Sequence, residues 1–421
     1  MEVFSLVALI LAVAAILSVF NARVLRFPDS IGLMGSALMA SLVALALGFV
    51  FPESIGHLCD KVAAFNFRSF VLEMALGFLV FAGAFTADTQ AFSRERYPIL
   101  IFATLGILVS TFVVGGLSYG LFSLLGLQVP FIHCLLFGAL ISPTDPIAVL
   151  AILQSTSVSR SIEADIAGES LLNDGVAVVV FLTIYQLAGG SVEGHELAEQ
   201  APGVLGVIVL FCREVLGGIL LGAAVAWVAI QLMRLTKMTY VDLLLSISAV
   251  MGSYALAYQL DVSGPLSLVV VGLWLGQVLR GHQIPEVDSH HLEIFWKSID
   301  YVLNAMIFTL MGVVLLGLST NFRPGYLLAG LLCIPIVLIA RAVSVYGPMP
   351  LTKLKFGHPL STGAILTWGG LRGGVSLALA LSLSADQNRS LLLTVTYVIV
   401  TFSILVQGLT IERVAKRFGL G

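Results

Sequence analysis

Glu169 and Asp174 stand in the run Gly168-Glu-Ser-Leu-Leu-Asn-Asp-Gly175, inside an otherwise apolar stretch from about Ile166 to Leu187. A charged side chain at bilayer depth costs about 3 kcal/mol even on a lenient insertion scale, so it persists where it pairs, binds or carries something. On a helix, Glu169 and Asn173 share one stripe, and Ser170 and Asp174 share the next. Ser170 and Asp174 offer a hydroxyl and a carboxylate, hard oxygen ligands suited to a small hard cation. Glu169 and Asn173 suit a basic partner and a neighbouring backbone group, and Arg372 is the first candidate for that partner. The chemistry these residues point to is ion transport through a membrane.

The elements that must hold such residues are membrane helices. Charged residues are 11% and apolar residues 58% of the 421, a pool from which the surface of a soluble globule cannot be built. The start Met1-Glu2-Val3 has no basic segment, so the apolar run from Val3 to Phe20 is expected to be a retained first span. Cys59, Cys134, Cys212 and Cys333 are scattered and read as packing residues, neither a disulfide frame nor a metal site. A net charge of −3 with isolated charges offers no stripe for nucleic acid.

Thirteen apolar runs of helical length occur, at about 3–20, 30–50, 70–86, 98–125, 130–154, 166–187, 203–233, 241–259, 263–280, 298–318, 326–347, 359–383 and 391–411. An odd count puts the termini on opposite sides. With the N-terminus outside and the C-terminus cytoplasmic, most Lys and Arg fall in inner loops, while the outer loops hold only Lys61, Arg68, Arg323 and Arg389. No connection is long enough for a soluble domain, and about ten residues follow the last run, so regulation by an appended domain is not expected. The connection from Arg280 to Lys297 carries His282, His290 and His291 among Glu286, Asp288 and Glu293; it reads as an ordinary solvated loop, with a pH sensor as the alternative.

Two runs resist an unbroken helix. The fifth holds Ser142-Pro143-Thr144-Asp145-Pro146, whose prolines remove two backbone donors and bias the residues before them away from helical dihedrals. The twelfth holds Trp368-Gly369-Gly370-Leu371-Arg372-Gly373-Gly374, four glycines that each weaken a helix by about 1 kcal/mol relative to alanine. Interrupted spans at matching places in two halves mark a transporter's site, where freed carbonyls and half-helix ends line a cavity. Runs 5 and 12 would cross in opposite directions, so runs 1–6 and 8–13 read as inverted repeats with broken, crossing helices and run 7 as a connector. Summing Asp145, Glu169 and Asp174 against Arg341 and Arg372 leaves one negative charge, which one proton or one monovalent cation neutralises. With Asn173 in place of a second acid, one-for-one electroneutral exchange is expected.

Four motifs in this order resemble the sodium/proton antiporters of the NhaP and eukaryotic exchanger type: Ser142-Pro-Thr-Asp-Pro146, Gly168-Glu-Ser-Leu-Leu-Asn-Asp-Gly175, Ala340-Arg-Ala-Val-Ser-Val-Tyr346 and Trp368-Gly-Gly-Leu-Arg-Gly-Gly-Val-Ser-Leu-Ala378. The resemblance covers essentially the whole chain. It implies an all-α membrane protein of the NhaA/NhaP-like fold, a homodimer whose dimer domain is residues 1–97 and 241–318. It further implies a core, residues 98–188 and 319–421, that moves as an elevator, with a connector at 189–240. By motif, Asp174 would bind proton and sodium in turn, assisted by Ser170, Glu169 and the backbone or hydroxyl of Thr144. Glu169 would pair with Arg372, Asp145 would offset half-helix N-termini and Arg341 the opposing negative ends. The sequence departs from the usual pattern at Leu383-Ser384, where leucine and proline are frequent; this touches a helix end.

The resemblance therefore implies a sodium or lithium exchanger in a bacterial or archaeal plasma membrane, serving pH or salt homeostasis, with no cofactor beyond the transported ions. Coupling needs only competition, since proton and cation seek the same carboxylate oxygens. A potassium/proton antiporter is the alternative, and a passive channel a more distant one, because no repeated filter segment is visible. An intramembrane aspartic protease using Asp145 and Asp174 is disfavoured, since Leu172 and Asn173 stand where such an enzyme carries a Gly-x-Gly setting. An enzyme is not expected.

Overall fold

A computed structural model describes residues 2–48, 51, 53, 56, 67–153, 160–189, 204–235, 238–281, 284, 289–318, 323–356 and 360–417. Every regular element among the described residues is helical. The first half contains α1 (Glu2–Phe20), α2 (Asp29–Leu47), α3 (Leu76–Thr86), α4 (Thr89–Arg94), α5 (Arg96–Ile101), α6 (Ile107–Leu124), α7 (Phe131–Ile141), α8 (Ile147–Leu153) and α9 (Arg160–Leu187). The second contains α10 (Val204–Leu235), α11 (Thr239–Leu260), α12 (Gly264–Arg280), α13 (Ser289–Leu318), α14 (Pro324–Tyr346), α15 (Met349–Phe356), α16 (Leu360–Trp368), α17 (Gly374–Leu381), α18 (Arg389–Phe402) and α19 (Gly408–Arg417). Wider π turns continue several helices, at Ser69–Ala75, Phe102–Gly106 and Ser403–Gln407.

Among the described residues, ten helical stretches are long and apolar enough to cross a membrane. The 17-residue α12 falls just short of that length, and two further apolar runs are each split, into α7 with α8 and into α16 with α17. Large apolar side chains such as Ile16, Leu220 and Leu235 face outward, as expected where the solvent is lipid.

The splits fall at the prolines and glycines. Helix α7 stops after Ile141; Pro143 and Pro146 have no N–H for a ladder, and the Asp145 N–H leaves its own segment to donate to the Leu371 carbonyl at 2.7 Å. Helix α16 stops at Trp368, Gly369, Gly370 and Gly373 lie in the unwound stretch, and Gly374 opens α17. That Asp145 to Leu371 bond joins the two unwound segments, so they cross face to face.

Two boundaries differ from the apolar pattern. Helix α9 begins at Arg160 rather than near 166, drawing Asp165 into the bundle at 1% exposure. Helix α13 begins at Ser289 rather than near 298, and its polar first turns include a Glu293–Lys297 pair at 2.6 Å. A helix persists through polar residues that find partners or water, so apolarity marks its lipid-facing length and not its ends.

The apolar interior forms two clusters. One draws on α7, α9, α14, α17, α18 and the second half of α13; the other draws on α3, α10, α11, α12 and the first half of α13. Leu72, Phe78, Val178, Ile299 and Val375 pack against both and mark the seam. At one end of the bundle Arg280 donates to the carbonyls of Phe85 at 2.5 Å and Ala87 at 2.6 Å, capping α3. Beside it lies a cleft of about 280 Å³ that includes Asp88, Phe92, Glu163 and Gly168. Cys134 and Cys333 are buried packing residues, whereas Cys212 is exposed, contrary to the packing role expected of it; Cys59 lies outside the described residues.

Candidate functional site

The crossing gathers charges from four chain segments. Asp145 accepts from the Ile147 N–H at 3.0 Å, at the start of α8, and its carboxylate also faces Gly373 at the start of α17. It therefore lies against two positive helix ends. The two negative ends each meet an arginine. Arg372, 1% exposed, donates to the carbonyls of Ser142 and Pro143 at the end of α7. Arg341, 7% exposed, donates to the Leu366 carbonyl near the end of α16, from Nε at 3.2 Å and Nη2 at 3.0 Å.

Glu169 pairs with Arg341 and not with Arg372, which corrects the partner expected from the motifs. Its two oxygens accept from Nη1 at 2.5 Å and Nη2 at 3.0 Å of Arg341, in a fork with both side chains buried. The helical wheel places Glu169 correctly on the stripe facing a base, but it cannot choose between two arginines. Arg372 turns instead to the carbonyls of Ser142, freed because Pro146 has no N–H, and of Pro143, freed because the Ile147 N–H goes to Asp145. The position of Arg341 also explains Gly370: a Cβ there would run into the guanidinium.

Ser170, Asn173 and Thr144 form a second knot. The Ser170 hydroxyl donates to the Thr144 carbonyl, and the Asn173 amide donates to Thr144 Oγ1 at 2.7 Å, both within the buried interior. These bonds fasten α9 to the unwound segment of the fifth run. Asp174 stands beside them, partly accessible, with Asp145 as a charged neighbour. Among the described residues its carboxylate makes no hydrogen bond and no ion pair. Every other charge at the crossing is committed to a partner or a helix end.

Several residues were not singled out from the sequence. Ser403 accepts from the Arg372 N–H at 3.0 Å and donates to Gln407 at 2.8 Å, and Gln407 donates to the Trp368 carbonyl at 3.0 Å; together they brace the glycine-rich turn. Asp165, buried one turn before Glu169, has Glu95 and Glu169 as charged neighbours. Asp300, on α13, is bonded to Asn304 at 3.1 Å and has Asp145 as a charged neighbour. The signal for each was a polar pair four residues apart in an apolar run. Asp165 and Asp300 also make the five-residue charge sum incomplete. His290 and His291 lie with ring centroids 6.5 Å apart at the start of α13, while His282, Glu286 and Asp288 are outside the described residues.

Comparison with known proteins agrees with this geometry. The family described as sodium/hydrogen exchanger, transmembrane, matches residues 8–417. The Na(+)/H(+) antiporter NhaP of Pseudomonas aeruginosa is 40% identical over 425 residues, covering 99% of this chain and 97% of that one. The Na(+)/H(+) antiporter NhaH of Halobacillus aidingensis is 30% identical over 424 residues, covering 100% and 98%. In fold, the chain is similar to the sodium proton antiporter MjNhaP1 of Methanocaldococcus jannaschii solved at pH 8, with TM-score 0.77, 19% identity and full coverage of both chains. With intramembrane charges gathered at two broken helices and relatives matching along its whole length, the chain is a multi-pass membrane transporter that belongs to the sodium/hydrogen exchanger family.

Proposed function

We propose that this protein exchanges sodium or lithium for protons one for one, with Asp174 as the group that holds each in turn. The observation that carries the reading is the contrast between Asp174, unpartnered among the described residues and partly accessible, and the committed charges around it. Ser170, one turn before Asp174 on α9, and the Thr144 carbonyl or hydroxyl bonded to Ser170 and Asn173 would supply neutral oxygen ligands once the Ser170 to Thr144 bond is released to an incoming cation. Glu169, held by both oxygens on Arg341, maintains the site's shape and is not a direct ligand. Proton and cation compete for the same carboxylate oxygens, so binding one expels the other.

One-for-one stoichiometry is supported by Asp174 being the one acid of α9 at the crossing left without a partner among the described residues, and by the neutral Asn173 beside it. Thirteen crossings, an inverted repeat and an N-terminus outside are supported by the matched breaks and the basic inner loops. The seam through Leu72, Phe78, Val178, Ile299 and Val375 supports an elevator, in which the crossing helices slide against α13 and α3. A homodimer in a plasma membrane completes the reading.

Proton flux in proteoliposomes, on adding sodium, lithium or potassium in turn, tests it. Flux driven by sodium and lithium and insensitive to a clamped membrane potential is expected. Flux driven by potassium alone would make this a potassium exchanger, and current without proton counterflow a channel. Asp174→Asn should fold and melt normally yet carry no exchange, and exchange at the unaltered rate would overturn the assignment.

A further inference from the structure

Helix α13 presents an acid to the crossing from outside it. Asp300, Asn304, Ile307 and Met311 lie along one stripe of this helix. The lower part of the stripe is in contact with the core, since a Cβ at Gly374 would meet Ile307 first and Met311 next. Asp300 is seven residues earlier than Ile307, roughly 10 Å along the axis toward the end that carries Arg280 and Lys297. Its neighbour Ile299 is one of the seam residues.

Asp300 is partly accessible and has no basic partner among the described residues. The Asn304 amide, on a residue 8% exposed, fixes Oδ1 at 3.1 Å and leaves the other oxygen uncommitted. Asp300 and Asp174, each without a basic partner among the described residues, share Asp145 as a charged neighbour. An apolar seam gains nothing from a carboxylate unless something positive visits it. Helix α13 packs chiefly on α2 and α3, outside the broken helices, so Asp300 belongs to the part against which the crossing would move.

We propose that Asp300 is a staging ligand of the transport route: it holds a monovalent cation on the α13 side, at the Arg280 end, and hands it to Asp174 when the site faces that end. Asn304 is its positioning residue. This rests on the exchange reading above, and the experiment separates the two.

In oriented proteoliposomes, sodium-driven proton flux is measured with sodium applied to each face in turn, for the unaltered protein, Asp300→Asn and Asp300→Glu. Expected for Asp300→Asn is a roughly tenfold rise in the half-saturating sodium concentration at the Arg280 face, equivalent to about 1.4 kcal/mol. The value at the opposite face and the maximal rate should stay within about twofold, and Asp300→Glu should recover most of the affinity. Unchanged affinity at both faces overturns the proposal. Equal losses at both faces, or a loss that Asp300→Glu fails to rescue, mark a structural residue and overturn it too. Absence of sodium-driven flux in the unaltered protein would instead remove the exchange reading itself.

Discussion

Arg341 serves two masters at once, a carboxylate of α9 and a carbonyl near the end of α16, and this makes it the residue whose loss should be felt most in folding. Arg341→Ala would leave Glu169 charged, buried and alone, at a cost of about 3–5 kcal/mol. Arg372→Ala strands carbonyls of Ser142 and Pro143 rather than an anion, at about 1–3 kcal/mol. Melting temperatures in detergent should therefore rank unaltered protein above Arg372→Ala above Arg341→Ala. The pair Glu169→Leu with Arg341→Met should recover much of the single loss. The reverse ranking would show that Glu169 finds its partner elsewhere.

The broken helices were legible in the sequence because proline and glycine act locally: Pro143 and Pro146 end a ladder whatever surrounds them, and Gly369 to Gly374 unwinds for the same reason. The polar stripes of α9 were legible too, since 100° per residue fixes which side chains share a face. The choice between Arg341 and Arg372 was not, being settled by where the freed carbonyls point, a tertiary matter. Nor were Asp165 and Asp300, because apolar content set the expected starts of α9 and the charge sum stopped at the crossing. The close fit of these elements gives a further prediction. Gly373 has an ordinary extended backbone, so alanine there meets no torsional objection, but its Cβ would collide with the Asp145 carboxylate. Gly373→Ala should cost about 1–3 kcal/mol and slow exchange severely; flux and melting at unaltered values would mean the two segments are further apart.

For the whole molecule, the contact between α13 and the broken helices is where relative motion must occur if the core slides. Ile307 of α13 lies against Gly374 of α17. In a background without native cysteines, Ile307→Cys with Gly374→Cys should cross-link on oxidation, arrest exchange, and recover it on reduction. Exchange that continues in the cross-linked protein would rule out sliding of α17 against α13.

The crossing keeps its charged scaffold and its proposed berth on different side chains. Glu169, Arg341, Arg372 and Asp145 hold the unwound segments in place, while Asp174, Ser170 and Thr144 are what a passenger would touch. Changes of passenger preference should therefore come from swapping small oxygen-bearing side chains at Ser170 and Thr144 while the girders stay untouched. A chain organised this way should accept a different ion at the cost of one neutral fastening between α9 and the unwound segment, with its four charged girders in place.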